Sequence, residues 1–332
     1  MGKMSKRERI AAALKGDPVD RVPISAWGHY PSDPRRAEDL VREAVKFQNE
    51  FDWDFAKLMP TGMYPAEALG AKTRYEAVPF GTTRLAEPLV RQAGDWASLP
   101  LIGPANNDVL ADIVEGARLS RQRLPGDIPV LQSVFSPLTI ANKCVGDSLP
   151  LYLRLHPKEL HAGLEIITEG TVRLVKALMQ TGIDGIFFAT QDASRDVLSD
   201  SEFLEFGKPY DLRVLREVQG AFFNMLHVCR TNIMSELVAD YPLHAINWEA
   251  AHQYPSLMEA AEVWRQCRVG GIDRKGVLAK GTVEQIKSEV KNAVAQTEGR
   301  HIIVTPDCSL PLPRPERNLH AARQAVEEVR LP

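Results

Sequence analysis

Phe222-Phe223-Asn224-Met225-Leu226-His227-Val228-Cys229 and Ile302-Ile303-Val304-Thr305-Pro306-Asp307-Cys308 are two apolar runs, each ending on atoms that bind soft metals. In a strand, residues i and i+2 face the same side about 6.6 Å apart, so His227 and Cys229 share a face. One ion with bonds of roughly 2.0–2.3 Å spans that gap, and Cys308 from the second run closes the cluster. All three residues fall at the C-terminal ends of their strands, the fifth and the eighth in chain order. In an open doubly wound sheet those two ends lie apart, whereas in a closed barrel every such end faces one mouth. Bringing the three ligands together therefore selects an α/β chain folded as a (β/α)8 TIM barrel over a doubly wound sheet.

The rest of the chain supplies the alternation that a barrel needs. Strand-like segments occur at 24–27, 53–59, 128–135, 184–190, 222–229, 243–248, 268–272 and 301–306. Helical periods or caps mark 108–123, 157–180, 201–218, 231–239, 255–265, 282–296 and 315–329, and Leu164, Ile167, Thr171, Leu174 and Leu178 form one stripe on the second of these. Ser5-Lys6-Arg7-Glu8 is a capping box opening an N-terminal helix that Gly16 stops. Asp33-Pro34 reads as the N-cap and first residue of a helix running to about Asn49. Residues 60–105 are rich in Pro, Gly and Thr, and read as an insertion after strand 2 that carries a small hairpin. With the N-terminal helical extension, residues 1–332 read as one domain.

Composition sets outer bounds. Apolar residues make up 44% of the 332 and charged ones 25%, enough to bury a core without staples. A net charge of −3 gives no case for nucleic acid or an anionic membrane as partner. Four cysteines are too few for a disulfide scaffold. The charged start, Lys3 to Arg9, is unlike a signal peptide, and no run approaches the ~18–20 apolar residues of a membrane span. The expected compartment is the cytoplasm, and a homodimer is compatible with the composition.

Arg7-Glu8-Arg9-Ile10-Ala11-Ala12-Ala13-Leu14-Lys15-Gly16, with Asp20-Arg21-Val22-Pro23, resembles the start of the uroporphyrinogen decarboxylase superfamily. Gly270-Gly271-Ile272-Asp273 is similar to a late strand motif of that superfamily. The decarboxylases themselves carry an arginine-rich stretch after the first strand, where this chain has Ser25-Ala26-Trp27-Gly28-His29-Tyr30-Pro31. His-x-Cys followed by a distant Cys instead resembles the branch typified by methylcobamide:coenzyme M methyltransferases. Thr305-Pro306-Asp307-Cys308 is similar to the zinc-binding segment of cobalamin-independent methionine synthases. The resemblance implies a barrel in which zinc holds a thiol and a methyl group passes between that thiol, or another small donor or acceptor, and a corrinoid such as methylcobalamin. No Asp-x-His-x-x-Gly motif is present, so the corrinoid is expected on a separate partner protein.

A His, Cys, Cys set with one position open fits zinc chemistry. Two cysteinates favour electron-rich sulfur and alkyl transfer over Lewis-acid hydrolysis. Glu249 ends the next strand and, as in the methionine synthase pattern, is a fourth ligand or a carboxylate bound to substrate. Asp192 follows the fourth strand, where substrate binding, ligand orientation and a turn role are all open. His29, Tyr30 and Gln132 lie where they can line the mouth or simply pack; Asp307 is expected to turn away from it. Two other functions remain in competition. A metal-free decarboxylase predicts an arginine-lined cleft, and a barrel with purely structural zinc needs four tight protein ligands.

Overall fold

The structure, a computed structural model, describes residues 2–331. Nine strands follow in chain order: β1 (Ala56–Leu58), β2 (Thr73–Val78), β3 (Gly81–Leu85), β4 (Val130–Phe135), β5 (Gly185–Thr190), β6 (Met225–Val228), β7 (Ala245–Asn247), β8 (Cys267–Ile272) and β9 (Ile302–Pro306). Seven of them form one sheet of order β1-β4-β5-β6-β7-β8-β9, parallel at every pairing. β4, β5, β6 and β7 are buried along their whole length, which is why their sequences read as continuous apolar runs rather than alternating ones. Gly185 opens β5 where a Cβ would lie 2.1 Å from Phe223 O, so only glycine lets β5 start this close to β6.

The sheet curls until its two edges meet across the segment around Ile24. Ile24 bridges Val304 of β9 in parallel register; Ser25 N–H donates to Val304 O at 3.1 Å and Val304 N–H to Pro23 O at 2.8 Å. On the other side, Asp54 N–H donates to Ile24 O at 2.9 Å and Ser25 Oγ to Phe55 O at 2.8 Å. The expected strand at 24–27 thus shrinks to a single bridge, yet it lies where a first barrel strand belongs.

Beneath this seam sits the fully buried carboxylate of Asp54. It accepts from Arg9 Nη1 (2.7 Å), Arg21 Nη1 (2.6 Å) and Nη2 (3.0 Å), and Ile24 N–H (2.8 Å). Arg9 belongs to the helix Lys6–Lys15, whose capping box forms as the sequence indicates. The charges of that helix are therefore pinned against the sheet closure.

The interior above Asp54 is filled by aromatic rings. Trp27 meets Phe187 edge-on at 5.1 Å, and Phe55 meets Phe223 edge-on at 5.3 Å. Outside, the helix Pro157–Met179 buries Leu160, Leu164, Ile167, Thr171, Leu174 and Leu178 as its period requires.

Several local readings change. The helix expected from Asp33 begins at Ala37, because the Asp33 carboxylate is taken by the Thr82 and Thr83 hydroxyls at 2.6 and 3.0 Å. The expected helix over 201–218 divides into Asp200–Phe206 and Lys208–Arg216. It breaks at Gly207, where any Cβ would meet the Phe203 ring at 2.6 Å, and Pro209 follows. Residues 231–239 form turns, and 255–265 retain only the short helix Ala260–Val263. Short helices at Tyr64–Ala68, Pro137–Val145 and Leu149–Leu155 were not expected. The segment after β1 carries the β2–β3 hairpin, a two-stranded antiparallel sheet apart from the main one.

Asp54→Ala leaves two buried guanidinium groups short of their counter-charge, and is expected to cost about 3–5 kcal/mol of stability. Urea unfolding followed by circular dichroism measures this. A loss below about 1 kcal/mol would show that the closure does not depend on that carboxylate.

Candidate metal centre at the barrel mouth

β6 carries His227, and Cys229 follows its last residue; Cys308 lies two residues beyond β9. These segments are separated by two intervening strands, yet Cys308 Sγ lies 3.2 Å from His227 Nε2. One donor atom from each of His227, Cys229 and Cys308 lies within 4.8 Å of the others. Tetrahedral zinc with ordinary bond lengths sets its N and S ligands about 3.6 Å apart and its two sulfurs about 3.8 Å apart. The 3.2 Å between Cys308 Sγ and His227 Nε2 is a few tenths of an ångström short of that spacing, and the three donor atoms together lie close enough to share one ion.

Asn247 of β7 decides which nitrogen of His227 is free. Its Nδ2 donates to Val269 O at 2.9 Å, which leaves Oδ1 as an acceptor, 2.6 Å from His227 Nδ1. His227 therefore carries its proton on Nδ1 and turns an unprotonated Nε2 toward the sulfurs. Phe187 stacks on the same imidazole with centroids 5.3 Å apart, fixing its plane. The two thiols divide their acidity. A hydrogen bond from Cys229, with the charge of Arg274, outweighs burial and holds Cys308 well below the usual thiol range. The same hydrogen bond, with burial, raises Cys229. Cys308 is thus the member of the pair that is ready to ionise, and a divalent ion binds the thiolate form.

These atoms face a cavity of about 210 Å³, below the roughly 300–1,000 Å³ of pockets for drug-sized ligands. Trp27, Phe135 and Phe187 give it apolar walls, and Phe80 at the tip of the β2–β3 hairpin reaches over it. The tip is tied down: Leu312 N–H donates to Pro79 O at 2.7 Å, and Phe80 stacks on the Arg274 guanidinium at 4.4 Å.

The other sequence-selected residues take varied places. Glu249 is buried and outside the cavity lining; it accepts from Arg274 Nη2 at 2.9 Å and from Lys275 Nζ at 3.1 and 3.2 Å. Asp192 is buried behind the lining residue Gln191, its carboxylate accepting from Thr139 Oγ1 and Asn142 Nδ2, each at 2.7 Å, while burial pushes its carboxyl up. His29 lines the cavity, but Tyr30 is buried under Arg314 and Gln132 is buried with its amide on Ser133 O. Asp307 is buried against Arg274, with Oδ1 3.5 Å from Nε.

Three lining cations had not been singled out: Lys57, Lys143 and Arg274. The signal for Lys57 was present, a lone charge near the end of a strand in Phe55-Ala56-Lys57-Leu58-Met59. Lys143 sits on a helix that was not expected, so its side chain could not be placed.

Comparison with known proteins gives a consistent picture. The sequence profile of the family described as uroporphyrinogen decarboxylase (URO-D) matches residues 5–329. The chain is 23% identical over 353 residues to the methylcobamide:CoM methyltransferase MtaA of Methanosarcina barkeri, covering 99% of each. A uroporphyrinogen decarboxylase of Xylella fastidiosa is 25% identical over 242 residues, covering 65% of this chain and 66% of that protein. Among solved structures, a methyltransferase from Methanosarcina mazei superposes with a TM-score of 0.85 at 21% identity, over 98% of this chain and 99% of that one. A B12-independent methionine synthase from a Shewanella species gives 0.63 at 14% identity, over 93% and 98%.

If Asn247 orients His227 for an ion, Asn247→Leu lowers zinc affinity about 10–100-fold, measured by competition with a chromogenic chelator. Unchanged affinity in a folded variant would show that the imidazole needs no such support.

Proposed function

The chain belongs to the uroporphyrinogen decarboxylase family, and from that premise we propose that it is a zinc-dependent methyltransferase moving a methyl group between a corrinoid and a small thiol. The observation that carries this reading is the His227–Cys229–Cys308 donor set, with Nε2 left free by the Asn247 contact at Nδ1 and the set opening on a small cavity. Bound there, zinc keeps a thiol ionised at neutral pH, where a free aliphatic thiol near pKa ~8.5 is mostly protonated. The full-length similarity to methylcobamide:CoM methyltransferases supports the corrinoid as the other participant.

The chain's own groups would then act as follows. Cys229 and Cys308 put negative charge on the site, which leaves the substrate sulfur electron-rich. Phe187 and Asn247 fix the imidazole, while Trp27, Phe80 and Phe135 keep water from the reacting sulfur. Glu249 is proposed as the carboxylate that exchanges between its Arg274–Lys275 cations and the donor set, as a fourth ligand in the absence of thiol. Asp192 is proposed as a positioning residue, clamping through Thr139 and Asn142 the helix that carries Lys143. A single (β/α)8 domain with an N-terminal helical extension and an inserted hairpin supplies this frame. A cytoplasmic setting keeps both cysteines reduced.

A tetrapyrrole is far larger than this cavity, which disfavours the decarboxylase alternative and leaves the corrinoid at the rim, delivered by a partner protein. Purely structural zinc is disfavoured as well, because the donor set opens on a cavity rather than being capped by a fourth tight ligand among the described residues.

Zinc-loaded protein mixed with methylcobalamin and a panel of thiols is expected to change the corrinoid absorption spectrum as the methyl group leaves. Cys308→Ala is expected to lose zinc and to lower that rate by at least about a hundredfold. A variant that keeps both its zinc and its rate overturns the reading.

A further inference from the structure

A second group of donor atoms gathers beside the cysteines, on their far side from the cavity. His252 lies in the loop after β7, Asp273 directly after β8 and Asp307 directly after β9, so three successive strand ends each supply one residue. One donor atom from each lies within 4.8 Å of the other two. No sulfur belongs to this group, and none of its members lines the cavity that His227, Cys229 and Cys308 face.

Each carboxylate has one oxygen committed and one to spare. Asp273 Oδ1 accepts from the Lys275 and Gly276 N–H groups at 2.9 and 3.0 Å, while Oδ2 faces His252 Nε2 at 3.1 Å. Gly276 leaves room for that second oxygen, since a Cβ there would lie 2.2 Å from it. Asp307 is 1% exposed; its Oδ1 takes the Arg274 N–H at 3.4 Å, and its buried Oδ2 meets no donor. A histidine–aspartate hydrogen bond accounts for His252 and Asp273 but not for Asp307, whose bare oxygen costs roughly 1–3 kcal/mol.

Charge leaves the same gap. Glu249, Asp273, Glu289 and Asp307 converge here, and the two nearby cations, Arg274 and Lys275, make their short contacts with Glu249 at 2.9 and 3.1 Å. Arg274 Nε stands 3.5 Å from Asp307, and Glu289 has no cation partner among the described residues. Burial, with the charge of Asp273, pushes the Glu289 carboxyl up to about 7. Four carboxylates against two cations leave a surplus of up to two negative charges, which one divalent ion would balance.

We propose that His252, Asp273 and Asp307 bind a divalent cation of the manganese class, separate from the ion at the cysteines, with water in its remaining positions. Metal bonds of about 2.0–2.2 Å set adjacent octahedral ligands about 3.0 Å apart. His252 Nε2 and Asp273 Oδ2 are already at that spacing, 3.1 Å. One imidazole and two carboxylates make a harder set than His227, Cys229 and Cys308, so the two sites sort their ions by chemistry. The imidazole then carries its proton on Nδ1 and turns a lone pair on Nε2 to the ion. Bound there, the ion ties the ends of β7, β8 and β9 together directly behind Cys308. None of this depends on methyl transfer at the mouth.

Protein loaded with one equivalent of zinc and titrated with Mn2+ tests the site, because the paramagnetic resonance signal of the free aqua ion falls as the ion is bound. One equivalent is expected to bind with zinc retained, and the spin echo of the bound ion is expected to show modulation from an imidazole nitrogen. His252→Ala, on an exposed loop, should lose that modulation and bind Mn2+ at least about tenfold more weakly. Asp273→Asn and Asp307→Asn should weaken binding as much, in protein shown by circular dichroism to be folded. Cys229→Ser, which breaks the cysteine site, should leave Mn2+ affinity unchanged, so the outcome does not hinge on zinc. The absence of saturation at millimolar Mn2+ overturns the proposal. So does binding that His252→Ala leaves intact, which marks adventitious contact with surface carboxylates, and so does binding that expels the zinc, which places Mn2+ at the cysteines.

Discussion

Cys308 Sγ and His227 Nε2 stand 3.2 Å apart although 81 residues separate them in the chain, and the site depends on that approach. It is imposed by curvature. A parallel sheet that curls on itself points the C-terminal ends of its strands at one mouth, so β6 and β9 converge there with β7 and β8 between them. The curl is held where the edges meet, at Ile24, by backbone bonds to Val304 and Asp54 and by the Arg9–Asp54–Arg21 cluster beneath. Charges at the bottom of the barrel thus help to hold the closure that brings the strand ends to one mouth.

Electrostatics differ between the two ends. Below, each buried cation has its carboxylate, and the arrangement contributes rigidity. Above, Arg274 has its partners, but Lys57 and Lys143 face the cavity without ion-pair partners among the described residues. Such asymmetry belongs to sites rather than to scaffolds, because a scaffold gains nothing from leaving charge uncompensated.

Much of this was legible in the chain. Apolar runs of strand length ending on His227, Cys229 and Cys308 named the donor atoms and the fold together, since no open sheet readily unites them. Capping chemistry was readable where it is purely local, as at Ser5 and Glu8. It misled where a distant segment competed, as at Asp33, whose carboxylate the hairpin threonines claim. Residues 231–239 had a helical look but form turns, because loops over a barrel mouth follow their neighbours rather than their own propensity.

Sequence by itself determined which three soft donor side chains could meet, the parallel alternation of strand and helix, and the family. Those properties reside in residue type and short-range period, which survive without coordinates. Only the tertiary structure decided that Asn247 sets the tautomer of His227, that Glu249 is held by Arg274 and Lys275, and that Lys57 and Lys143 share one wall. Each of those facts joins side chains from different strands or helices. Their meeting is fixed by how the sheet closes and how the helices pack around it, which no local pattern encodes.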